Sequence, residues 1–523
     1  MHAPLLLSLP HGLNASGVTT WALRLANVCA RTARPVALIL HAEPQGQQPI
    51  DFAIDPRVDI FDARDLPPLD TCNGDLAPYL PLYRLALGVL AAQRPGCPVV
   101  CSPNLLGDSY GIIAELGRER PDLVRTFAVH HSDLRYNDLV CAHYAHAIHG
   151  FVGVSERITT RLRRLFPTRG PDIFGIPYGV ELPERLRLRE PHKQRPLRLL
   201  YAGRMDHEQK RILALVAMAD ELCRRGIAYE LVLLGDGPAA AELDGLCAHR
   251  PTIRRLGPTT PAGVAEALDT ADCFVLPSRY EGLSIALLEA LARGCIPVLT
   301  PSRSGTGQLV REGETGFLAK ADPEADAQQA GLAMAEAIER VVRHTDTQLH
   351  EIQQRGWSLV RACYSVELCA QRYGALIDRI AQQPPRPWPT HRPAAFTSNS
   401  SGGSGSVPAE AAKRMGKVLD GLAGCRVAIF GTGRHTLELR ETIMRTPATI
   451  AAFLDEDEAR HGQALWGLPI VAPEQAVAMG ITDIVVSSWL HQEAMMARCA
   501  PFEAAGVRVH ALYAGSTACA ISG

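Results

Sequence analysis

"SRYEGLSIALLEALARGCIP", residues 278–297, places two glutamates in a stretch that otherwise reads as buried core. Glu281 and Glu289 stand eight positions apart, around a Gly-Leu-Ser turn and the start of an apolar helix. A carboxylate in apolar surroundings is costly unless something binds it. Immediately before lies "DCFVLPS" (272–278), and immediately after lies "IPVLT" (296–300), both short apolar runs of strand type. Strand, loop, helix and strand in that order make a βαβ unit, the building block of a parallel sheet covered on both faces.

The same alternation extends in both directions. "LRLLYAG" (197–203) and "YELVLLG" (229–235) are further strands of the same domain. Towards the N-terminus, "PLLLSLP", "PVALIL", "CPVVCS", "RTFAVHH" and "GFVGVS" read as strands, and "GVTTWALRLANVCARTA" as a helix. "GIPYGVELPER" (175–185) and the polar "HKQRP" interrupt the pattern, so two α/β domains are expected, over 1–190 and 191–365. "QPPRPWPTHRPAAFTSNSSGGSGSVP" (383–408) is Pro-rich and then Gly/Ser-rich, the composition of a linker. Beyond it, "RVAIFGTGRHTLELRETI", "ATIAAFLDED" and "DIVVSS" predict a third, small Rossmann-like α/β domain over 409–523.

The bulk numbers narrow the function classes. A chain of 523 residues exceeds a single core, since domains run to about 100–200 residues. A net charge of -2 supplies no basic field for nucleic acid. The 14 cysteines form no CxxC pair, which suits free thiols in a reducing cytosol rather than a disulfide frame or zinc site. "MHAPLLLSLPHG" reads as a first strand rather than a signal peptide. No run approaches the ~18 apolar residues of a membrane span. The expected location is therefore cytoplasmic, with any membrane contact peripheral, at the inner membrane.

Arg204 and Lys210, in "YAGRMDHEQKRI", follow a strand at its carboxyl end, where open α/β sheets bind ligands. Two cations there can neutralise a diphosphate; a solvated loop is the plain alternative. Ser284 is a candidate helix N-cap. The N–H groups of Leu283, Ser284 and Ile285, just after Gly282, would then face outward and suit a phosphate. Glu289 lies five residues on from Ser284, ~7.5 Å along a helix axis, roughly the span from a diphosphate to its ribose. A carboxylate accepts well from vicinal hydroxyls, so Glu289 fits a ribose and Glu281 a sugar beyond the phosphates. The alternative for Glu289 is a solvent-facing position on the helix.

These motifs, with "LLGDGP", "LGPTTP" and "GETGFL", resemble the carboxyl-terminal domain of retaining family-4 glycosyltransferases of GT-B fold. "NASGVTTWALRLA", "VHHSDLRY", "GFVGVSERI" and "IPYGVE" are similar to the amino-terminal domain of that family, so the resemblance spans about 1–382. It implies two Rossmann-like domains facing a cleft, with the 366–382 helix packing back on the first. It implies that Arg204 and Lys210 hold the donor diphosphate, Glu281 the transferred sugar and Glu289 the ribose. Gly17 would approach the phosphates from the first domain, and His131 would be the active-site histidine, with His130 as the alternative. Gln308 stands where the family usually has glutamate, and a single glycine stands near Gly17 where the family has a pair. The implied chemistry is retaining transfer from a nucleoside-diphosphate sugar without a bound metal, in bacterial surface glycan or glycoconjugate synthesis. The acceptor class, whether glycan, lipid-linked or protein, stays open. A nucleotide-sugar 2-epimerase and a non-catalytic sugar-nucleotide binder are the alternatives.

Two further motifs stand apart. "CAHYAHAIHG" spaces His143, His146 and His149 three apart on a predicted helix, with Cys141 beside them; this is either a metal-ligand pattern or a polar helix face, and no metal is expected. "VAIFGTGRHT" (427–436) is a strand and Gly-rich turn in which Thr436 replaces the third glycine of a dinucleotide fingerprint. Asp455, 24 residues after Gly431, stands near the expected ribose-binding acid. NAD or another nucleotide could bind there; otherwise the domain is a docking module.

Overall fold

The computed structural model describes residues 2–43, 49, 51–72, 74–190, 192–302, 305–323, 325–388, 411–456, 460–488 and 492–513. Most of the predicted linker, from 389 to 408, lies outside the described residues. The chain forms two compact units, Met1–Thr397 and Ser398–Gly523.

The first unit holds two parallel sheets. The amino-terminal sheet has seven strands: β1 (Leu5–Leu9), β2 (Val36–His41), β3 (Asp59–Ala63), β4 (Val99–Ser102), β5 (Val124–His130), β6 (Gly150–Gly153) and β7 (Ile173–Gly175), in the order β3-β2-β1-β4-β5-β6-β7. Its helices are α1 (Gly17–Arg31), α2 (Leu80–Gln93), α3 (Gly107–Glu119), α4 (Arg135–His143) and α5 (Glu156–Leu165). The second sheet has six strands: β8 (Leu197–Ala202), β9 (Tyr229–Leu234), β10 (Ile253–Arg255), β11 (Cys273–Leu276), β12 (Ile296–Leu299) and β13 (Phe317–Leu318), in the order β10-β9-β8-β11-β12-β13. It carries α6 (Ala214–Arg224), α7 (Ala240–Cys247), α8 (Pro261–Thr270), α9 (Ile285–Ala292), α10 (Ala327–Arg343) and α11 (Asp346–Cys363), and the unit ends with α12 (Val366–Ala381).

Every residue of β1, β2, β5, β11 and β12 is buried. That is why β1, β2, β11 and β12 are near-continuous apolar runs rather than alternating ones: a parallel sheet is covered on both faces. In both sheets the strand order reverses beside the first strand, between β1 and β4 and between β8 and β11. Such switch points open a crevice at the carboxyl ends. One hydrophobic core runs through both sheets, so the boundary expected at 190/191 falls inside a single unit. α12 packs on α1, β4 and β5. Arg34 clamps it there by donating to Asp378 through Nη1 at 2.8 Å and Nη2 at 3.0 Å.

The second unit has its own sheet: β14 (Arg426–Phe430), β15 (Thr449–Leu454), β16 (Ala464–Leu465), β17 (Leu468–Val471), β18 (Asp483–Val486) and β19 (Arg508–Ala511), ordered β16-β17-β15-β14-β18-β19. Two hydrophobic clusters fill its faces, and α13 (Ala411–Asp420) covers one of them with Met415 and Leu419. A third α/β domain therefore exists, as the strand pattern predicts.

The histidine-rich stretch departs from the expectation. The helix predicted to run to His149 ends at His143, as α4, and turns follow through Ala147. Tyr144 and Ile148 are both buried, in the turns that lead into β6. The spacing of three therefore does not align His143, His146 and His149 on a helical face. His149 Nδ1 accepts from the Thr126 amide at 3.1 Å, and His146 meets Trp388 edge-on at 4.9 Å.

Candidate functional site

The site grows from the loops at the carboxyl ends of the two sheets. After β8, Asp206 accepts at Oδ1 from the amides of Gln209 (2.7 Å) and Lys210 (3.0 Å), folding the loop into a turn that Asp commonly stabilises. Arg211 is 1% exposed and in the left-handed region at φ 48°. Its guanidinium donates to Pro277 O (3.0 Å) and Ala325 O (2.6 Å), tying the loop after β8 to those after β11 and β13. Gly235, after β9, has φ +127°, and a Cβ there would stand 2.0 Å from Gly203 O. Only glycine lets these two loops lie back to back. Sequence reading named neither Asp206 nor Arg211. The Asp-x-x-x-Lys spacing is a readable turn signal, whereas nothing local marks Arg211 as buried.

The result is a fixed Lys210. Its Nζ lies 2.5 Å from Glu281 Oε1, which also accepts from Ser278 Oγ at 2.7 Å. The side chains of Lys210 and Glu281 are 14% and 7% exposed. Arg204 is more open: its side chain is 33% exposed, with Nε 4.0 Å from Asp206 Oδ2, and its carbonyl accepts from Tyr201 Oη at 2.5 Å. Across the crevice, burial lowers the pKa of His11, Asp70 partly offsets this, and the Arg204 guanidinium adds to it.

Ser284 caps α9, its Oγ accepting from the Leu287 amide at 3.3 Å. The mouth of α9 lies against the start of α1. Gly17 is the first residue of α1, behind the N-cap Ser16, and a Cβ on it would be 3.5 Å from Ile285 Cδ1. Two helix N-termini, each with a positive end of its dipole, therefore meet over one spot. Gly282 closes the other side: a Cβ there would stand 1.9 Å from His131 O.

Glu289 is neither solvent-facing nor unengaged. Arg24, on α1, donates to its Oε1 at 2.5 Å, and Glu289 is 20% exposed. A ribose at this carboxylate would share it with, or displace, Arg24. His131 is 7% exposed. Its Nε2 contacts Asn104 Oδ1 at 3.2 Å and its Nδ1 contacts Tyr178 Oη at 2.8 Å. The Asn104 amide nitrogen is turned to Ser8 O at 3.0 Å, so Asn104 presents its oxygen and Nε2 carries the ring proton. Burial lowers the His131 pKa to about 3, so the ring is neutral at physiological pH. Asn104 and Leu105 both hold positive φ, 54° and 49°, which costs about 1–3 kcal/mol each in non-glycine residues and is found where function demands a geometry. His130, the alternative, points elsewhere, with Nε2 3.0 Å from Cys141 Sγ. Gln308 bridges the two halves by accepting from the Glu156 amide at 3.1 Å and donating to Tyr364 Oη at 3.2 Å.

The structure therefore brings together Arg204, Lys210, Glu281, Gly282, Ser284, Ile285 and Gly17, with the His131 backbone at their edge. Among the described residues, no group of three His, Cys, Asp or Glu side chains is placed to hold a metal ion, and no helix is long and apolar enough to cross a membrane. In the second unit, the Asp455 carboxylate takes the Thr432 amide (3.2 Å) and hydroxyl of the Gly-rich turn, with Arg460 at 3.5 Å. The acid that a dinucleotide fingerprint would offer to a ribose is thus already engaged.

Residues 196–344 match the glycosyl transferases group 1 family. The alpha-D-kanosaminyltransferase of Streptomyces kanamyceticus is 30% identical over 204 residues, 38% of this chain; the chain spans about half of that protein's length (49%). The GDP-mannose-dependent alpha-mannosyltransferase of Mycolicibacterium smegmatis is 29% identical over 329 residues, 59% of this chain and 82% of that protein. Among solved structures, sucrose-phosphate synthase from Thermosynechococcus elongatus aligns with TM-score 0.56 at 19% identity, covering 72% of this chain and 99% of that one. The Anabaena protein HepE in complex with UDP and glucose aligns with TM-score 0.54 at 14% identity, covering 72% and 100%. At these identities the structural likeness establishes the fold, which is GT-B.

Proposed function

We propose that this protein, a glycosyltransferase with its group 1 domain at residues 196–344, moves a glycosyl group from a nucleoside-diphosphate sugar to an acceptor with retention of anomeric configuration. The observation that carries this reading is the convergence of Lys210, Arg204 and the mouths of α1 and α9 on one spot between the two sheets. That is a site for a diphosphate whose charge grows as the bond to the sugar C1 breaks. Donors fixed in advance at the place where charge develops lower the barrier without reorganising. Lys210 and Arg204 supply the countercharge, and no metal is invoked.

Glu281 stands beside Lys210, where a carboxylate can accept from hydroxyls of the transferred sugar. Glu289 serves the ribose from within α9. His131 enters as a neutral ring that holds its own loop, the carbonyl of which abuts Gly282. The names of the relatives, a kanosaminyltransferase and a mannosyltransferase, support glycosyl transfer, and a role in bacterial surface glycan or glycoconjugate synthesis goes with that reading.

The test is incubation of the full chain with UDP-glucose or GDP-mannose and a panel of acceptors, followed by product mass and nucleotide release. Transfer with release of nucleoside diphosphate is the expected result. Inversion at C2 without acceptor consumption would make it an epimerase instead, and binding without turnover a sugar-nucleotide receptor.

A further inference from the structure

A polar cleft of about 470 Å³ opens between the start of α5 and the 305–308 turn. It adjoins the site described above. A Cβ on Gly305 would meet Ser155 Cβ at 2.6 Å and Gly282 O at 2.9 Å, and Asp133 lies two residues beyond His131. Resting on the transferase reading, we propose that this cleft is the acceptor site and that its acceptor carries a phosphate group.

Three guanidinium groups line the cleft, from Arg157, Arg161 and Arg164 on α5. Their spacing of four and three residues puts them along one helix face. Asp133, whose side chain is 4% exposed, takes Arg157 Nε at 2.6 Å and Arg161 Nη1 at 2.5 Å. Arg161 Nη2 is held by Asp138. Two of the three guanidinium groups are therefore fixed before any ligand arrives, so little side-chain entropy remains to be lost on binding. Arg164 has no carboxylate partner among the described residues.

Two amides at the start of α5 are already engaged: Ser155 Oγ accepts from Ile158 N at 3.3 Å, and Gln308 Oε1 accepts from Glu156 N. The side-chain donors that line the cleft are the guanidinium N–H groups and the Thr160 hydroxyl. The lining holds three guanidinium groups and the carboxylates of Asp133 and Glu156, with Asp138 behind Arg161, and no aromatic ring on which a neutral sugar could stack. Arginine forks facing a cleft, two of them held in place and Arg164 without a carboxylate of its own among the described residues, match a phosphate, with several acceptor oxygens, better than a neutral polyol.

The test uses the full chain with UDP and GDP added together, so that the Arg204 and Lys210 site is filled and its occupancy is read separately by nucleotide binding. sn-Glycerol 3-phosphate is titrated by calorimetry, with glycerol as the neutral control. In parallel, phosphatidylglycerol vesicles are sedimented with the protein, with phosphatidylcholine as control. Binding of the soluble phosphate assigns a soluble phosphorylated acceptor, and binding of phosphatidylglycerol vesicles alone assigns a phospholipid-linked one. In either case Arg164→Ala should weaken binding by about tenfold, the loss of one charge-assisted contact, and Arg164→Lys should keep most of it. Absence of both forms of binding would overturn the proposal, as would equal loss in Arg164→Ala and the remote control Arg343→Ala. Failure of UDP and GDP to bind would count against the donor reading alone.

Discussion

The Lys210–Glu281 pair gives the sharpest quantitative test, because its two partners differ in what they leave behind. Their side chains are 14% and 7% exposed and 2.5 Å apart, so solvent screens them little. Lys210→Ala strands the Glu281 carboxylate with Ser278 as its remaining hydrogen-bond donor. Breaking a buried pair from one side costs about 3–5 kcal/mol. The double variant Lys210→Ala, Glu281→Gln removes both charges, and the side-chain amide that replaces the carboxylate can still accept from Ser278. It should be far more stable than the sum of the single variants, recovering at least about 2 kcal/mol in a double-mutant cycle read by urea unfolding of the first unit. Activity should not recover with stability. Removing a preorganised cation from the diphosphate costs about 2–4 kcal/mol in kcat/KM, a loss of about 30- to 1,000-fold, in the single and the double variant alike. If Lys210→Ala unfolds at the same urea concentration as the wild type, or if the double variant regains transfer, the assignment of Lys210 as a buried, catalytic countercharge is wrong.

Glu289→Gln should raise the KM for the donor more than it lowers kcat, since it weakens a contact made equally in ground and transition states; Glu281→Gln should act mainly on kcat, and identical steady-state profiles for the two would contradict the division of roles. Transfer should survive exhaustive chelation, and a dependence restored by Mg²⁺ or Mn²⁺ would contradict the countercharge role of Arg204 and Lys210. Gly282→Ala should impair donor turnover sharply, because its Cβ would stand 1.9 Å from the His131 carbonyl and force the two loops apart; a variant with wild-type kcat/KM would count against that contact. Burial lowers the pKa of His130, His131 and His149 to about 3 and of His41 to about 4. Folded values below the unfolded ones mean that the unfolded chain binds more protons between pH 6.5 and 4, so stability is full above pH 6.5 and falls as the pH drops. The slope reaches about 1.4 kcal/mol per histidine per pH unit; urea midpoints that stay flat from pH 7 to 4.5 would show these rings to be exposed.

Much of this protein can be read along the chain. Apolar runs such as "LLLSL" and "CFVL" announce strands buried on both faces, because a parallel sheet has no wet side. Ser284 announces the start of α9, because a hydroxyl that accepts from an amide three residues on is a local event. The group 1 signature sits in one continuous stretch, 196–344, and its loops fall at strand ends by the alternation alone. Pairings across the fold are another matter. Lys210 meets Glu281 over 71 residues and Arg24 meets Glu289 over 265, and neither partner carries a local mark of the other. A charge is inexpensive in water and costly in the core, so whether Arg211 or Asp133 faces solvent or a partner depends on which loops the strand order stacks together. The helix expected through His149 ends at His143, and turns lead from there into β6; the spacing of three histidines carries no local mark of that end. Local spacing determined the elements and the candidate residues; the strand order at two switch points decided which of them touch.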